Sequence, residues 1–392
     1  MKSDVSPQYK YVKLDCYYFC FQQSLAVLAW ILFFKREDLI TIQPWLKKDF
    51  PRWKTVYFRH QWKIFKRNLT NLVFFVQCRL GFRNLDTVYL PVYGHFGIYV
   101  HKGYKIFNLW SGIVTKIFDT DVNKSIILNE IEQLKKVSQI DFVPTLKRWD
   151  INQRWSEEDY IRSSIPFSHR AADSVTFLNA FNKEASPCIN SLILFQPQET
   201  KNLAVYFRKL IEVLESSKLS KKSPDSKESI IFRDFIHFMV KELDAEGDLP
   251  VHLVFTHGDF CPANLLNTKN GLRIVDWETA KHRSLLFDFY SYFFYRITSG
   301  KLSVNKVVSE INEALPNFLS ELSLRVPDIT KNIFDFVKVY RFLFYVEYVC
   351  KLVERDLTDN RLNMTHYICL NIDAFNQYES TLRTQITEIK ND

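Results

Sequence analysis

Two short acidic segments in the C-terminal half of the chain carry residue types suited to phosphoryl transfer. The first is His257-Gly258-Asp259-Phe260-Cys261-Pro262-Ala263-Asn264, which follows the apolar run 253–255. The second is Asp276-Trp277-Glu278, which follows the mainly apolar strand-like segment 272–275. Phosphoryl transfer needs an aspartate that orients the acceptor hydroxyl and takes its proton, and oxygen ligands that hold Mg²⁺ against a triphosphate. The two segments contain all of these groups.

The spacing of Asp259 and Asn264 supports this interpretation. Five positions separate them, so one loop can supply a base at one end and a metal ligand at the other. The same Asp-to-Asn spacing occurs in the protein-kinase catalytic loop. Either segment alone could be an ordinary turn or strand end. Because both occur in this order, each after an apolar strand, chance explains them poorly.

Together the two segments resemble the aminoglycoside phosphotransferase and choline kinase family, which has a protein-kinase-like fold. The resemblance implies ATP and Mg²⁺ as cofactors and Asp259 as the catalytic base. It makes His257 the structural histidine of the catalytic loop, and Asn264 and Asp276 the metal ligands. Glu278 stands where some family members carry a second acidic residue and is a further candidate ligand. Asp288, at the start of the following helix, is usually structural in the family.

The region before this segment has the pattern of a small α+β lobe. Short β-rich runs at 97–101, 104–110 and 113–118 are separated by turn residues. A helix is expected over 124–137, because apolar side chains recur on one face. Two further strands are expected at 142–149 and 159–163. Three strands, a helix and more strands are typical of an α+β lobe.

Lys116, in the third of these strands, resembles the lysine that contacts the α- and β-phosphates of the nucleotide. Glu130, in the following helix, is the expected ion-pair partner that would anchor this lysine. Glu132 is the alternative partner, but it lies two positions on and would point to another face. Backbone groups around Ile161 are expected to bind the adenine base. No Gly-x-Gly-x-x-Gly precedes Lys116, so the residues that cover the phosphates stay unassigned.

The expected fold is therefore α+β: a bilobal protein-kinase-like fold with an N-terminal helical extension. Residues 1–85 would form this aromatic and basic extension, 86–165 a β-rich N-lobe, and 166–392 a mainly helical C-lobe with the catalytic loop. A hydrophobic fraction of 47% and a charged fraction of 24% are ordinary for a globular protein.

Cysteine content favours a cytoplasmic protein, and the net charge gives no argument for nucleic acid. A net charge of +8 is too small over 392 residues to argue for nucleic acid. The seven cysteines are scattered and odd in number, as expected for reduced thiols. The apolar run 25–34 is too short to span a bilayer, which needs about 20 apolar residues. Burial of this run is favoured over docking on a membrane surface.

The segment 52–83 contains eight basic and no acidic residues. Such a surface suits phosphate-bearing partners, an anionic membrane face or an acidic glycan, and a solvated helix face is an equal alternative. Peripheral membrane contact through residues 1–85 is one hypothesis. It also suggests a sugar or glycan acceptor, since the arrangement is similar to phosphotransferase-family proteins of bacterial surface-polysaccharide synthesis.

The acceptor is otherwise open, because family members phosphorylate many hydroxyl compounds and the fold does not choose among them. Choline needs an aromatic cage. The aromatic side chains at helical spacing in the C-terminal part are expected to be core instead. They are Tyr290, Tyr292, Phe293, Phe294, Tyr340, Phe342 and Tyr345.

Two other functions are alternatives to a small-molecule or glycan kinase. A catalytically inactive nucleotide-binding or scaffold protein has no need to keep Lys116, Asp259, Asn264 and Asp276 together. A protein kinase ranks third, because no Asp-Phe-Gly, activation segment or Ala-Pro-Glu follows Asp276.

Overall fold

A computed structural model describes residues 8–34, 54–100, 102–162, 165–166, 174–223, 225–300, 302–330, 333–358 and 364–391. The chain divides into two compact units. The first comprises Met1–Phe167 and Leu266–Val275, and the second comprises Ser168–Leu265 and Asp276–Asp392.

The first unit is built on an antiparallel sheet. Its strands in the described residues are β1 (Tyr9–Leu14), β2 (Tyr17–Cys20), β3 (Thr87–Leu90), β4 (Phe96–Val100), β5 (Gly103–Asn108), β6 (Ile113–Phe118), β7 (Leu146–Asp150) and β8 (Trp155–Asp159). Their order across the sheet is β3-β1-β2-β4-β5-β6-β8-β7. The helices of this unit are α1 (Leu25–Phe34), α2 (Lys54–Arg79) and α3 (Lys124–Val137).

The predicted helical extension is wrong for two segments. β1 and β2 pair with each other, and they pair with β3 and β4 respectively, so the first part of the chain belongs to the sheet. Aromatic and β-branched residues dominate both strands, and such residues fit a pleated, half-buried surface. The remainder of the predicted extension contains α1 and α2. As expected, α1 buries one face, with Leu28, Ile31 and Leu32 in the core.

The helix α3 has the bounds that its apolar spacing predicts. Asn123 caps its N-terminus by accepting a hydrogen bond from the backbone N–H of Ser125.

The predicted strand at 159–163 is wrong over 160–162, because β8 ends at Asp159; residue 163 lies outside the described residues. The turn before β8 is fixed by the Asp150 side chain, which accepts from the backbone N–H of Asn152 at 2.8 Å. This turn joins β7 to β8, which pair with each other in the sheet.

A second, smaller sheet has the order β13-β12-β9, formed by β9 (Ile165–Pro166), β12 (Leu265–Thr268) and β13 (Gly271–Ile274). β12 and β13 form a hairpin that turns at residues 269–270. Gly271 has φ +97°, a conformation that favours glycine.

The second unit is mainly helical, with one small sheet of order β10-β11-β14. The strands are β10 (Glu199–Asn202), β11 (Pro250–Thr256) and β14 (Lys281–Ser284). The described helices are α4 (Ser174–Ala180), α5 (Ser186–Phe195), α6 (Leu203–Glu215), α7 (Lys227–Asp244), α8 (Phe287–Thr298), α9 (Val304–Arg325), α10 (Pro327–Thr330), α11 (Val337–Thr358) and α12 (Thr365–Asn391). The α+β class, with a β-rich N-terminal part and a mainly helical C-terminal part, is confirmed.

Aromatic side chains of α8, α11 and α12 fill the core of the second unit. Tyr345 stacks on Phe375 at a ring-centroid distance of 4.3 Å, and Phe294 packs against Tyr378 at 4.9 Å. The seven aromatic residues that were expected to be core rather than cage are all buried. Among the residues that the structure describes, no helix has the length and apolar character needed to cross a bilayer.

Candidate active site

The first acidic segment forms a loop that follows β11. Gly258 has φ +80°, which only glycine adopts without strain. A Cβ at this position would lie 2.4 Å from the carbonyl oxygen of Thr279 and from Nη1 of Arg283. Gly258 therefore allows both the turn and the close approach of the second acidic segment.

The backbone of this loop is held by Asp288 at the start of α8. Its buried carboxylate accepts from the backbone N–H of His257 at 2.6 Å and of Gly258 at 3.0 Å. Burial raises the pKa of Asp288, while the nearby positive charge and these two N–H groups act in the opposite direction. The structural role that the resemblance implies for Asp288 fits this geometry.

His257 is fully buried and shapes the same loop. Its Nδ1 accepts from the backbone N–H of Asp259 at 3.2 Å. Its ring packs edge-on against the indole of Trp277 at a centroid distance of 4.6 Å. The histidine therefore positions Asp259, and these contacts fit the structural role implied by the resemblance.

Asp259 presents a carboxylate that is fixed at both oxygens. Oδ2 accepts from Nδ2 of Asn264 at 3.0 Å, and the same amide donates to the Asp259 carbonyl at 2.9 Å. Oδ1 accepts from Nζ of Lys351 at 3.1 Å. The Asp259 side chain keeps 41% of its surface exposed, so it remains accessible to an acceptor. Neither bond uses the amide oxygen of Asn264, the atom that would bind a metal ion.

The electrostatic environment keeps Asp259 ionised. Burial alone would raise the pKa of this carboxyl, but Lys351, followed by His257 and Arg355, outweighs burial and lowers the pKa below its usual value. An ionised carboxylate can accept the hydrogen of a hydroxyl group, as a base in phosphoryl transfer must.

The second acidic segment packs against the first. Asp276 adopts a left-handed conformation with φ 65° and ψ 62°, and a 3₁₀ turn, Trp277–Thr279, follows. Thr279 Oγ1 donates to the carbonyl oxygen of His257 at 3.2 Å. A left-handed non-glycine residue costs roughly 1–2 kcal/mol, and such strain clusters at functional sites. Glu278 lies 4.0 Å from Nη2 of Arg355, measured from Oε1.

The donor set of the two segments fits Mg²⁺, which prefers oxygen ligands and keeps several waters. Asn264 and Asp276 would supply one amide oxygen and carboxylate oxygens. In the described parts of the chain, no group of three or more His, Cys, Asp or Glu side chains is arranged to hold a metal ion. A nucleotide-dependent Mg²⁺ site does not need one, since phosphate oxygens complete the coordination.

In the first unit, Lys116 and Glu130 form the predicted ion pair. Nζ of Lys116 lies 2.8 Å from Oε1 of Glu130, and both side chains are largely buried. Lys102 approaches the other oxygen at 3.7 Å, and Glu158 lies 3.9 Å from Lys116. Burial acts to raise the pKa of Glu130, but Lys116 and Lys102 lower it below its usual value. Glu132, the alternative partner, is exposed. The role of the pair in nucleotide binding stays a prediction.

Ile161, the predicted contact of the nucleotide base, lines a cavity of about 650 Å³ within the first unit. Val143, Tyr160, Asn270 and Arg273 also line this cavity. It offers apolar surface beside polar groups, as ligand sites commonly do.

One helix face supplies site residues that the sequence analysis missed. In α11, Lys351 contacts Asp259, Arg355 approaches Glu278, and Glu354 pairs with Lys281 at 2.7 Å. Glu347, one turn earlier, accepts from the backbone N–H and the hydroxyl of Ser284. The available signal was four charged residues at i, i+4, i+7 and i+8, which lie on one side of the helix.

The chain is similar to one family model and to several solved structures. The family model described as "APH: Phosphotransferase enzyme family" matches residues 207–307, a range that includes both acidic segments. A choline kinase, LicA from Streptococcus pneumoniae, is 16% identical; the match covers 71% of this chain and 88% of that chain, with a TM-score of 0.45. A glucosamine kinase in complex with glucosamine, ADP and inorganic phosphate is 13% identical; the match covers 76% of this chain and 81% of that chain, with a TM-score of 0.46.

An aminoglycoside phosphotransferase, APH(4)-Ia, is 9% identical; the match covers 69% of this chain and 88% of that chain, with a TM-score of 0.45. A search of curated protein sequences gives no match. The family match confirms the resemblance predicted from the sequence, and it confirms the predicted enzyme class, a phosphotransferase. At these identities and TM-scores, the acceptors of the solved proteins do not transfer to this chain.

Proposed function

We propose that the protein transfers the γ-phosphate of ATP, together with Mg²⁺, to a hydroxyl group of a small molecule. The observation that carries this proposal is the carboxylate of Asp259, which is ionised, accessible and fixed between Asn264 and Lys351. A base in this state orients an acceptor hydroxyl and takes its proton.

The other residues have separate roles in the proposed reaction. Asn264 and Asp276 would hold Mg²⁺, which neutralises charge on the phosphates when bound. Lys116, held by Glu130, would contact the phosphates in the manner of the strand lysine in kinases. The base of the nucleotide would bind near Ile161.

The test is transfer from [γ-³²P]ATP to a panel of sugars, amino alcohols and aminoglycosides. We expect a labelled product that forms with Mg²⁺ and disappears with EDTA. Replacement Asp276→Ala should abolish transfer and weaken Mg-ATP binding measured by calorimetry. Transfer that is equally fast with EDTA, or in Asp276→Ala, would refute the assignment.

A second proposal concerns membrane contact through α2. Phe65, Leu69 and Val73 recur at i, i+4 and i+8, and are 45%, 44% and 44% exposed. They lie in the segment 52–83, which contains eight basic and no acidic residues; one of the eight, Arg67, pairs with Asp15 at 3.6 Å. An apolar stripe beside basic residues suits an anionic membrane surface. We propose this surface as the partner, and a sugar or glycan intermediate at a membrane as a candidate acceptor.

Vesicle flotation of the full chain tests this second proposal. Removal of residues 1–85 is unsuitable, because β1 and β2 belong to the sheet of the first unit. We expect binding to phosphatidylglycerol vesicles at low salt and a clear loss in Leu69→Ser with Val73→Ser. The matched control is Leu324→Ser, since Leu324 is 85% exposed in the second unit. Equal flotation with and without vesicles would reject the membrane contact.

A further inference from the structure

Lys351 places a positive charge beside the carboxylate of Asp259, the group that would bind the acceptor hydroxyl. Its Nζ donates to Oδ1 of Asp259 at 3.1 Å and to the carbonyl oxygen of Gly258 at 3.0 Å. The side chain of Lys351 is only 8% exposed, so the ammonium group has little freedom to leave. Lys351 lies outside residues 207–307, so the family match does not assign it.

The same ammonium group occupies an aromatic face. Nζ of Lys351 lies 4.1 Å from the ring centroid of Tyr348. A ring face at this distance is the kind of group that binds a quaternary or primary ammonium ligand. In this protein the ammonium group of Lys351 lies over the Tyr348 ring, beside Asp259.

Further carboxylates beside the loop also have cations of the protein as partners. Glu278 faces Arg355 at 4.0 Å, and Glu354 pairs with Lys281 at 2.7 Å. A cationic acceptor would have to displace these partners or remain close to them. The two cations of α11, Lys351 and Arg355, therefore disfavour a positive charge beside Asp259 and Glu278.

We propose that the acceptor carries no positive charge next to its reacting hydroxyl, and that Lys351 sets this preference. The inference rests on the proposed function, with Asp259 as the base. A hydroxyl at about 2.7 Å from Oδ1 lies within about 6 Å of Nζ. A cationic group of the acceptor at a similar distance from Nζ is disfavoured up to about tenfold at an effective dielectric constant of about 40, because Lys351 already neutralises the Asp259 charge that would otherwise attract it. The substrate class is an uncharged hydroxyl compound, such as a sugar.

Matched acceptor pairs that differ only in charge test this inference. The pairs are 3,3-dimethylbutan-1-ol against choline, and glucose against glucosamine. With the full chain and Mg-ATP, we expect kcat/KM for the uncharged member to exceed that for the cation by about tenfold or more. A preference for the cationic member in both pairs would overturn the inference and leave the proposed function standing. Absence of Mg²⁺-dependent transfer to every compound would overturn both.

Variants separate the role of Lys351 from a general loss of activity. In Lys351→Met the ratio of kcat/KM within each pair should fall toward one, whatever happens to the absolute rates. Lys351→Arg should keep the wild-type ratio. The matched control is Lys338→Met on the same helix, whose ion pair with Glu242 is distant in sequence from the catalytic loop. A ratio that is unchanged in Lys351→Met would exclude Lys351 as the residue that sets the preference.

Discussion

Replacement of Glu130 by Gln tests the ion pair of the first unit most sharply. The substitution keeps the volume of the side chain but removes its negative charge. In the folded chain this charge lies 2.8 Å from Nζ of Lys116 and 3.7 Å from Nζ of Lys102. Lys116 would keep Glu158, which lies 3.9 Å away, as a counterion.

The size of the effect follows from these distances. At an effective dielectric constant of about 20, the attractions of Glu130 to Lys116 and Lys102 amount to about 6 and about 4.5 kcal/mol. Desolvation of the charges offsets much of this sum. Removal of one partner of a buried pair costs about 3–5 kcal/mol, and Glu158 remains as a counterion. We therefore expect Glu130→Gln to destabilise the first unit by about 2–4 kcal/mol.

The matched control is Glu132→Gln, because Glu132 is exposed on the same helix and was the alternative partner of Lys116. Hydrogen exchange of peptides from α3 and β6 reports the stability of the first unit, and calorimetry reports Mg-ATP binding. Glu130→Gln should accelerate exchange and weaken Mg-ATP binding at least tenfold, whereas Glu132→Gln should change neither. Equal behaviour of the two variants would refute the assignment of Glu130 as the anchor of Lys116.

Two further predictions concern the catalytic loop and the dependence of stability on pH. Gly258→Ala should cost about 2–4 kcal/mol in a denaturation experiment, because a positive φ and the 2.4 Å contacts of a Cβ both oppose it. A wild-type midpoint would contradict this. The pKa of Glu130 lies below its unfolded value of 4.5, so its stabilisation is present above pH 4.5 and is lost as the pH falls through the folded pKa. Acidification from pH 7 to about pH 3 should thus destabilise the wild type more than Glu130→Gln, and equal losses would contradict this origin.

Much of the candidate site could be predicted from the sequence because its chemistry is local. Asp259 and Asn264 share one loop, and Asp276 follows the next hairpin, so their spacing alone indicated their roles. The pair of Lys116 and Glu130 could be predicted from a strand followed by a helix, since the helical period selects Glu130 over Glu132.

Other contacts could not be predicted, because they depend on distant pairing. Lys351 lies 92 positions from Asp259, and nothing in the spacing of either residue indicates the other. β1 pairs with β3 across more than 70 positions, so aromatic residues near the N-terminus gave no signal of a shared sheet. Hydrophobic pattern predicts the type of an element better than its partner in space.

The most direct test of Asp259 as the catalytic base is the rate of phosphoryl transfer by Asp259→Asn. The amide oxygen of the new side chain can still accept from Lys351, but the side chain cannot take a proton from the acceptor. We expect Mg-ATP to bind with a dissociation constant within about threefold of wild type, and phosphoryl transfer to fall at least about 100-fold, because a general base contributes about 10²–10⁴. Transfer at the wild-type rate in Asp259→Asn would contradict the assignment of Asp259 as the catalytic base.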